Sequence, residues 1–419
     1  MMVSTSEMIR VFGRIGLLSF GGPAAQIALM HRELVEERTW LTEAQFLRAL
    51  SFCMLLPGPE AMQLATYAGW KRRGIMGGLI GGGLFVIPGA IVIAILALAY
   101  GAYGSLPWMQ AVFLGVKATV VIIVIEALIK VSKRALTSSK HLIIAVLAFV
   151  ALFAFAVPFP IVIAIAAIAG AFGRHAIDTA PSSPLPWRQS IAIVLVGAIL
   201  WATPIGIVTA FDLPLLRDIG LFFSTLAVVT FGGAYAVLAY MTQEVVTGFG
   251  WLTTPQMMDA LGLAETTPGP LILVTQFVGM MAGYLQGGVS TALLAGFMTL
   301  WVTFVPCFIW IFAGAPLIDW LNGRPRLTSA LSGITAAVVG VIANLSLWFA
   351  LHVFFGIVTP ISIGPLQLIV PEITTLQIVP VAIAALAAFL LLRRHWGLPL
   401  VLLICAIVGL FSTGLGLPL

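Results

Sequence analysis

Apolar runs of membrane-spanning length follow one another from end to end of this 419-residue chain. An α-helix needs about 20 mostly apolar residues to cross the hydrocarbon core of a bilayer. Hydrophobic residues make up 61% of the sequence and charged residues only 8%, which leaves too little polar surface for a water-soluble protein. The runs lack the period-two alternation of a membrane β-barrel. We therefore predict an all-α polytopic membrane protein with about 10–13 membrane segments.

One short pattern occurs twice. The segment 19-SFGGPAAQ-26 is echoed by 230-TFGGAYAV-237, and each copy is followed by a Pro-Gly-Pro, at 57–59 and at 268–270. These matches share one spacing of 211 residues. Further matches keep that spacing and then a spacing of 218 residues: Glu33 with Glu244, Trp40 with Trp251, Pro88 with Pro306, and Gly115 with Gly333. A register held through a rare tripeptide indicates a duplicated chain.

Thirteen apolar elements can be delimited, and their number predicts how the two copies are related. The first six form one repeat, the last six form the other, and one crossing lies between them. The repeats should therefore have inverted topology, as in many secondary transporters. The predicted divisions are a first repeat at 1–173, a cytoplasmic linker with a connecting helix at 174–216, and a second repeat at 217–419. The elements are approximately 8–30, 44–70, 75–101, 108–131, 141–156, 159–173, 190–210, 217–240, 255–283, 288–314, 328–353, 376–392 and 398–416.

Under this topology the basic residues fall in loops on one side of the membrane, and Arg217 is the exception. The positive-inside rule makes that side the cytoplasm, so the N-terminus is predicted to be cytoplasmic and the C-terminus periplasmic. The net charge of +5 thus sets topology and does not indicate nucleic-acid binding. The loop residues are Lys71, Arg72, Arg73, Lys130, Lys133, Arg134, Lys140, Arg174, Arg188, Arg324, Arg326, Arg393 and Arg394.

Glycine and proline interrupt the first two elements of each repeat. Proline inside a helix removes a backbone hydrogen bond and clashes with the preceding turn. Each element is therefore either a broken span or a re-entrant hairpin of two half-helices. Loop charges favour the hairpin: the charged link 31–40 would then be cytoplasmic, and its counterpart 242–251, which has no Lys or Arg, would be extracellular.

A break at membrane depth leaves backbone N–H groups that need partners. Half-helices that begin there offer these N–H groups and a positive dipole end, which suit an anion. Inverted repeats would bring four breaks together near the midplane; the alternative is that glycine and proline only kink packed helices. The breaks are Gly21-Gly22-Pro23, Pro57-Gly58-Pro59, Gly232-Gly233 and Pro268-Gly269-Pro270, and the polar residues near them are Ser19, Gln26, Glu60, Gln63, Thr66, Thr230, Glu265 and Gln276.

Several charged residues inside the apolar elements are candidates for a role in transport. Those for coupling or gating are Arg14, Arg48, Glu60, Glu126 and Glu265, and Lys117 is a candidate for binding the substrate. Lys117 is a candidate counter-charge for an anion, and the alternative is an ion pair, for example with Glu265 or Glu60. Four of these charges are unmatched in the second copy, where Thr225, Asp259, Thr335 and Asn344 stand at the places of Arg14, Arg48, Lys117 and Glu126. The five histidines show no metal-type clustering, so no metal or other cofactor is expected.

The motifs SFGGPxxQ, LLPGPEAMQLATYAGW-KRRGxxGG and the second-copy TTPGP together resemble the chromate ion transporter family, in particular its long bacterial members. The resemblance covers nearly the whole chain. It implies an inner-membrane carrier that expels chromate, a sulfate-like oxyanion, and confers chromate resistance. The substrate could instead be sulfate or another tetrahedral oxyanion. The protein could also form a homodimer. By motif position, the resemblance marks Phe20, Gly21, Gly22, Pro23, Gln26, Pro57, Gly58, Pro59, Glu60, Gln63 and Tyr67 as the important residues.

Two other function classes are weighed against this one. A membrane-embedded enzyme is disfavoured, since no HExxH, GxSxG, P-loop or dinucleotide fingerprint appears. An oxyanion importer or channel on the same scaffold is the second alternative, because the sequence does not show the direction of transport. The membrane potential of a negative-inside cell favours export of a dianion by about 4.6 kcal/mol per 100 mV. The alternative driving force is proton coupling through Glu60 or Glu265.

Overall fold

A computed structural model describes residues 3–20, 22–172, 187–231, 234–318 and 325–414. Helices dominate this part of the chain, as predicted. They are α1 (Thr5–Leu18), α2 (Gly22–His31), α3 (Glu43–Cys53), α4 (Glu60–Tyr103), α5 (Pro107–Ala135), α6 (Ser139–Phe155), α7 (Phe159–Ala171), α8 (Trp187–Ala210), α9 (Pro214–Val229), α10 (Ala234–Gln243), α11 (Thr254–Thr266), α12 (Val274–Gly314), α13 (Pro325–Phe354), α14 (Ile378–Ala388) and α15 (Leu398–Gly414).

Among the described residues, five helical stretches are long and apolar enough to cross a membrane. They are Glu60–Tyr103, Pro107–Ala135, Arg188–Ala210, Leu271–Gly314 and Thr328–Phe354. Shorter apolar helices accompany them at Ser139–Phe155, Phe159–Ala171, Ile378–Arg393 and Leu398–Ser412. The prediction of an all-α polytopic membrane protein is confirmed.

Helix α4 is two helices joined by a glycine turn. Its 44 residues would reach about 66 Å as a straight helix, twice the thickness of a hydrocarbon core. The backbone instead turns at Arg73 and at Gly74, where φ is 59° and ψ is −151°. The halves then run antiparallel in close contact, since a Cβ on Gly69 would lie 2.1 Å from the carbonyl oxygen of Gly77. The boundary predicted between 70 and 75 is therefore a tight reversal.

Helix α12 repeats this turn in the second copy. Gly288 has φ 69° and ψ −157°, close to the values at Gly74. The two halves again pack through small residues, because a Cβ on Gly283 would lie 2.6 Å from the carbonyl oxygen of Thr291. Both copies thus use glycine for the reversal and for the helix contact that follows it.

The broken elements of the first repeat begin and end on one side. Arg73, at the turn of α4, donates to the hydroxyl of Thr5 at the start of α1. Arg72 Nη1 lies 3.4 Å from the carbonyl oxygen of Trp40, at the end of the link that follows α2. The ring of Trp40 contacts that of Phe12 on α1, with centroids 5.8 Å apart. The start of α1, the link and the turn of α4 therefore lie together, as in the re-entrant alternative.

The link after α2 holds a pH-sensitive contact. His31 Nε2 lies 2.7 Å from Glu43 Oε2, and its Nδ1 lies 3.0 Å from Glu36 Oε1. The hydrogen bond to Glu43 and the charges of both carboxylates raise the pKa of His31 above its ordinary 6.5. The resulting stability is present below pH 6.5 and is lost as pH rises through the elevated pKa.

We therefore expect the melting temperature of wild type, measured relative to a His31→Gln variant, to fall as pH rises from the acidic side of 6.5 to the alkaline side. Thermal melts of the two purified proteins across that range measure the difference. A difference independent of pH would contradict the pairing. His395→Gln is a matched control.

The second link has the same local geometry as the first. Each contains a π-helical turn, at Arg32–Glu36 and at Glu244–Gly248. The N–H of Trp40 donates to Leu34 O at 2.8 Å, and the N–H of Trp251 donates to Val245 O at 2.9 Å. A threonine and a glutamine cap the next helix in both copies, Thr42 with Gln45 and Thr253 with Gln256. The duplication read from the sequence is therefore also present in backbone hydrogen bonds.

A β-hairpin between α13 and α14 was not predicted. Strands β1 (Val358–Ile363) and β2 (Leu366–Pro371) pair antiparallel in a regular register. Gly364 takes φ 60° in the turn between them. The two copies differ here, because the first copy joins its corresponding helices α5 and α6 through residues 136–138 alone.

The chain folds into two compact units, and each takes segments from both sequence halves. Unit 1 comprises Met1–Gly101, His175–Ala234 and Thr267–Thr328. Unit 2 comprises Ala102–Arg174, Tyr235–Thr266 and Ser329–Leu419. The boundaries predicted for the repeats follow the duplication and are distinct from these units.

Candidate functional site

The breaks of the two copies are hydrogen-bonded to each other within unit 1. The N–H of Gly58 donates to the carbonyl oxygen of Thr230 at 2.8 Å. The N–H of Gly269 donates to the carbonyl oxygen of Ser19, also at 2.8 Å. Gly58 and Ser19 are the counterparts of Gly269 and Thr230 at the spacing of 211 residues. Such an exchange of equivalent contacts is what a two-fold relation between two copies produces.

Both Pro-Gly-Pro breaks need glycine at their centre. Gly58 has φ 112° and Gly269 has φ 92°, a region in which side chains are strained. Each glycine is also pressed against a helix of the opposite copy. A Cβ on Gly58 would lie 2.8 Å from Cys307 Sγ, and one on Gly269 would lie 3.4 Å from Gly89 Cα. Cys307 and Gly89 are themselves counterparts at the spacing of 218 residues, so the packing repeats as well.

The hydroxyl groups at the first break of each copy donate hydrogen bonds to the last turn of the preceding helix. Ser19 Oγ donates to Ile15 O at 2.6 Å, and Thr230 Oγ1 donates to Leu226 O. Both residues are buried. Their hydroxyl hydrogens are therefore engaged with α1 and α9, and their oxygen lone pairs remain as acceptors.

Two buried amides hold the breaks of the first copy. Gln26 Nε2 donates to Gly269 O at 2.8 Å and to Ser19 O at 3.3 Å. Gln63 Nε2 donates to Pro57 O at 2.7 Å. Valines, Val237 and Val274, stand at the corresponding places of the second copy. At these positions, amide side chains are therefore present in the first copy only, and they fix carbonyl groups at breaks of both copies.

Exposure distinguishes the two copies. Phe20 is 40% exposed, and Ala24 and Ala25 in the first turn of α2 are exposed. Pro57 and Glu60, at the start of α4, are partly exposed. Pro268, Gly269 and Pro270 are buried. At the Pro-Gly-Pro breaks, the first copy is thus more exposed than the second at Pro57, whereas the central glycine and the second proline are buried in both copies. The first-turn N–H groups of the helices that begin at Gly22 and Glu60 have no partner within the helix.

Some predicted site residues are placed elsewhere or fall outside the described part of the chain. Gly21, Gly232 and Gly233 lie outside the described residues. Gly22 begins α2 with φ 79°, Pro23 follows it, and Pro59 precedes α4. Glu265 is partly buried near the end of α11, in unit 2. The first-copy breaks and the second Pro-Gly-Pro are therefore the residues that the structure brings together.

Lys117 is in an ion pair within unit 2. Its Nζ lies 3.0 Å from Asp259 Oδ1 on α11, and the Asp259 side chain is fully buried. The partner is thus neither Glu60 nor Glu265 but Asp259, which stands at the place of Arg48 in the duplication. The available signal was an acidic residue inside an apolar element, where a carboxylate is usually paired or functional.

The remaining charged candidates have local partners. Arg14 Nη1 lies 3.4 Å from Glu33 Oε1, and Arg38 Nη1 lies 2.5 Å from the other oxygen of this buried carboxylate. Arg48 Nε donates to Ala44 O at 3.2 Å. Glu126 pairs with Lys130 one turn later on α5, at 2.6 Å. These contacts stabilise helices and the charged link.

Comparison with known proteins gives a consistent result. The profile of the family described as Chromate transporter matches residues 6–171 and 217–410. The chain is 32% identical over 339 residues to the Chromate transport protein of Cupriavidus metallidurans, covering 81% of this chain and 80% of that protein. It is 32% identical over 343 residues to the Probable chromate transport protein of Synechococcus elongatus, covering 81% and 83%. It is 30% identical over 344 residues to the Chromate transport protein of Pseudomonas aeruginosa, covering 81% and 80%. No solved structure shows significant similarity to the chain.

Proposed function

The chain belongs to the chromate transporter family, and from this premise we propose that it exports chromate from the cytoplasm across the inner membrane as a secondary transporter. Export of a toxic oxyanion lowers its concentration inside the cell and so confers resistance. The predicted orientation, with a cytoplasmic N-terminus and a periplasmic C-terminus, is part of the proposal. The family is one of transporters, and the cargo is a small anion.

The observation that carries the proposal is the exchange of hydrogen bonds between the breaks of the two copies. These hydrogen bonds hold two partly exposed helix starts of the first copy, at Gly22 and Glu60, beside the buried Pro-Gly-Pro of the second copy. Helix N-termini bind oxyanions through backbone N–H groups and the helix dipole. We assign the oxyanion to the first copy, with Gln26 and Gln63 as residues that position the breaks. The second copy completes and gates the site.

Alternating access follows from the same arrangement. The amides of the first copy and the glycines of both Pro-Gly-Pro segments hold the breaks in fixed conformations. A rearrangement of the breaks between two conformations would then open the site to one side at a time. Breaking and reforming of the exchanged bonds, Gly58 N–H to Thr230 O and Gly269 N–H to Ser19 O, would accompany that motion.

The membrane potential is sufficient to drive export. A dianion that leaves a negative-inside cell gains about 4.6 kcal/mol per 100 mV. A carboxylate beside the site, such as Glu60, would repel the dianion until protonated and would make proton and anion move together. Antiport needs the opposite linkage, in which proton and anion exclude each other. Potential-driven export is therefore the simplest mechanism for this chain.

Flux into inverted membrane vesicles tests the function. Vesicles with the protein should accumulate chromate when a potential alone is imposed, and vesicles without it should not. The absence of accumulation in energised vesicles would reject export. Accumulation driven by a pH gradient alone would reject the potential-driven route in favour of proton coupling. Parallel sulfate flux, and flux in right-side-out vesicles, would identify a sulfate transporter, an importer or a channel.

A further inference from the structure

A cavity of about 400 Å³ lies within unit 2, next to the β-hairpin. It is bounded by α6, α10, the π-helical turn that follows α10, α13 and both strands. Hydroxyl, amide, indole and imidazole groups face it, from residues such as Thr242, Asn344, Trp348 and Gln367. None of its described lining residues is Asp, Glu, Lys or Arg. The cavity therefore combines apolar walls with neutral hydrogen-bonding side chains and one histidine, His352.

The duplication shows which charged residues of the first copy correspond to the cavity lining. Its lining residues Thr242, Thr247 and Thr254 stand where the first copy has His31, Glu36 and Glu43, at the spacing of 211 residues. In the first copy these three residues pair with one another, at 3.0 Å and 2.7 Å. A cluster of ion pairs in one copy is thus replaced by hydroxyl groups in the other.

Helix α13 repeats the replacement on the opposite wall. At the spacing of 218 residues, Asn344, Trp348 and His352 stand where α5 has Glu126, Lys130 and Arg134. Glu126 and Lys130 form an ion pair at 2.6 Å on α5. His352 keeps a fixed orientation, because its Nδ1 donates to Trp348 O at 2.8 Å. At both sets of positions, the second copy therefore has no Asp, Glu, Lys or Arg where the first copy has carboxylates and cations.

This pattern fits an anion that binds and leaves quickly. Carboxylates at these positions would repel an oxyanion, and cations would hold it tightly. The amide N–H groups of Gln243 and Asn344 can replace part of the hydration shell of an oxyanion without a full charge. Sites on a transport route need this balance, because binding must favour entry and still allow exit.

We infer that this cavity is a second, low-affinity binding site for a tetrahedral oxyanion, on the outer side, where the substrate is released. The inference rests on the proposed export of chromate and on the predicted orientation, which places the link 242–251 outside. The β-hairpin supplies Ser362 and Gln367 to the wall and has no counterpart in the first copy. The β-hairpin thus gives this cavity a wall that the first copy, with its three-residue connection between α5 and α6, does not provide.

Charge changes at Asn344 test the site directly. Equilibrium binding of chromate, and separately of sulfate, is measured on the purified full-length protein in lipid nanodiscs. Wild type should show a tight and a weak class of sites. Asn344→Asp should weaken the weak class about tenfold, which corresponds to 1.4 kcal/mol, and Asn344→Lys should tighten it. Gln286→Glu is the control, since it adds a carboxylate at an exposed residue outside the cavity.

Opposite shifts from the two substitutions cannot arise from misfolding, which would weaken binding in both. Equal weak-class affinity in Asn344→Asp and Asn344→Lys would overturn the inference. So would displacement of chromate from the weak class by a neutral sugar as effectively as by sulfate. Flux in inverted vesicles is recorded for the same proteins. Its absence in wild type would reject the proposed export, whereas flux with unshifted weak binding would reject only the second site.

Discussion

Gly58→Ala is expected to reduce chromate flux to less than about a tenth of wild type and to lower the melting temperature, because the new side chain strains the backbone and overpacks the break. Gly58 adopts φ 112°, where a side chain costs about 1–3 kcal/mol. Its Cβ would also lie 2.8 Å from Cys307 Sγ and 3.0 Å from Gln63 Nε2, and overpacking of this kind costs a further 1–3 kcal/mol or so. Both costs fall on the segment whose N–H is bonded to Thr230. The measurements are flux into inverted vesicles, normalised to protein amount, and thermal melting of the purified protein.

Two other glycines separate strain from steric clash. Gly74 has φ 59°, but a Cβ there would meet no atom within 4 Å, so Gly74→Ala reports strain alone. Gly13, inside α1, also has open space around its Cβ position and a helical backbone, so Gly13→Ala should be neutral or slightly stabilising. Wild-type flux and melting in Gly58→Ala would show that the break does not pack as described.

Lys117→Met is expected to destabilise the protein by about 3–5 kcal/mol, the usual cost of leaving one member of a buried ion pair without its partner. Asp259→Leu should be similarly destabilising, because each change leaves a charge in an apolar interior. The double variant, Lys117→Met with Asp259→Leu, should recover most of the loss, since no charge is then left alone. Denaturation of the purified variants in detergent measures the three values and gives the coupling between the two residues.

The exposed pair on the same helix is the matched control. Lys130 is 69% exposed and pairs with Glu126 one turn away, so Lys130→Met should change stability by less than about 0.5 kcal/mol. Flux in the double variant separates two roles of Lys117. Restored flux would leave Lys117 a structural residue, whereas restored stability without flux would support the counter-charge role predicted from the sequence. Additive losses in the two single variants would contradict a direct pair.

The breaks and the duplication were readable from the sequence because glycine and proline act on the local backbone. Gly58 and Gly269 could be recognised from one tripeptide, and the reversal at Gly74 from a gap between two apolar runs. The hydrogen bonds between the breaks could not be predicted from the sequence. Equal spacing shows that Ser19 corresponds to Thr230, but it does not show that Ser19 bonds to Gly269 of the opposite copy. That partnership depends on how distant segments pack.

Two other features were missed for physical reasons. The pairing of Lys117 with Asp259 could not be predicted, because a contact between α5 and α11 leaves no periodic signal within either helix. The β-hairpin has two strands of six residues each, and Pro360 and Pro371 lie within them. Short strands with proline give a weak pattern beside long apolar helices.

The exchanged hydrogen bonds also set an order for biogenesis. During synthesis, Gly58 enters the membrane long before Thr230 has been made, so its N–H must wait for an acceptor. An unpaired backbone group costs several kcal/mol in a bilayer, which makes the first half of the chain an unfinished folding intermediate. Only the second half supplies Thr230 O, the acceptor for the N–H of Gly58. Separately expressed halves, divided between α7 and α8, should therefore be degraded alone and accumulate when produced together.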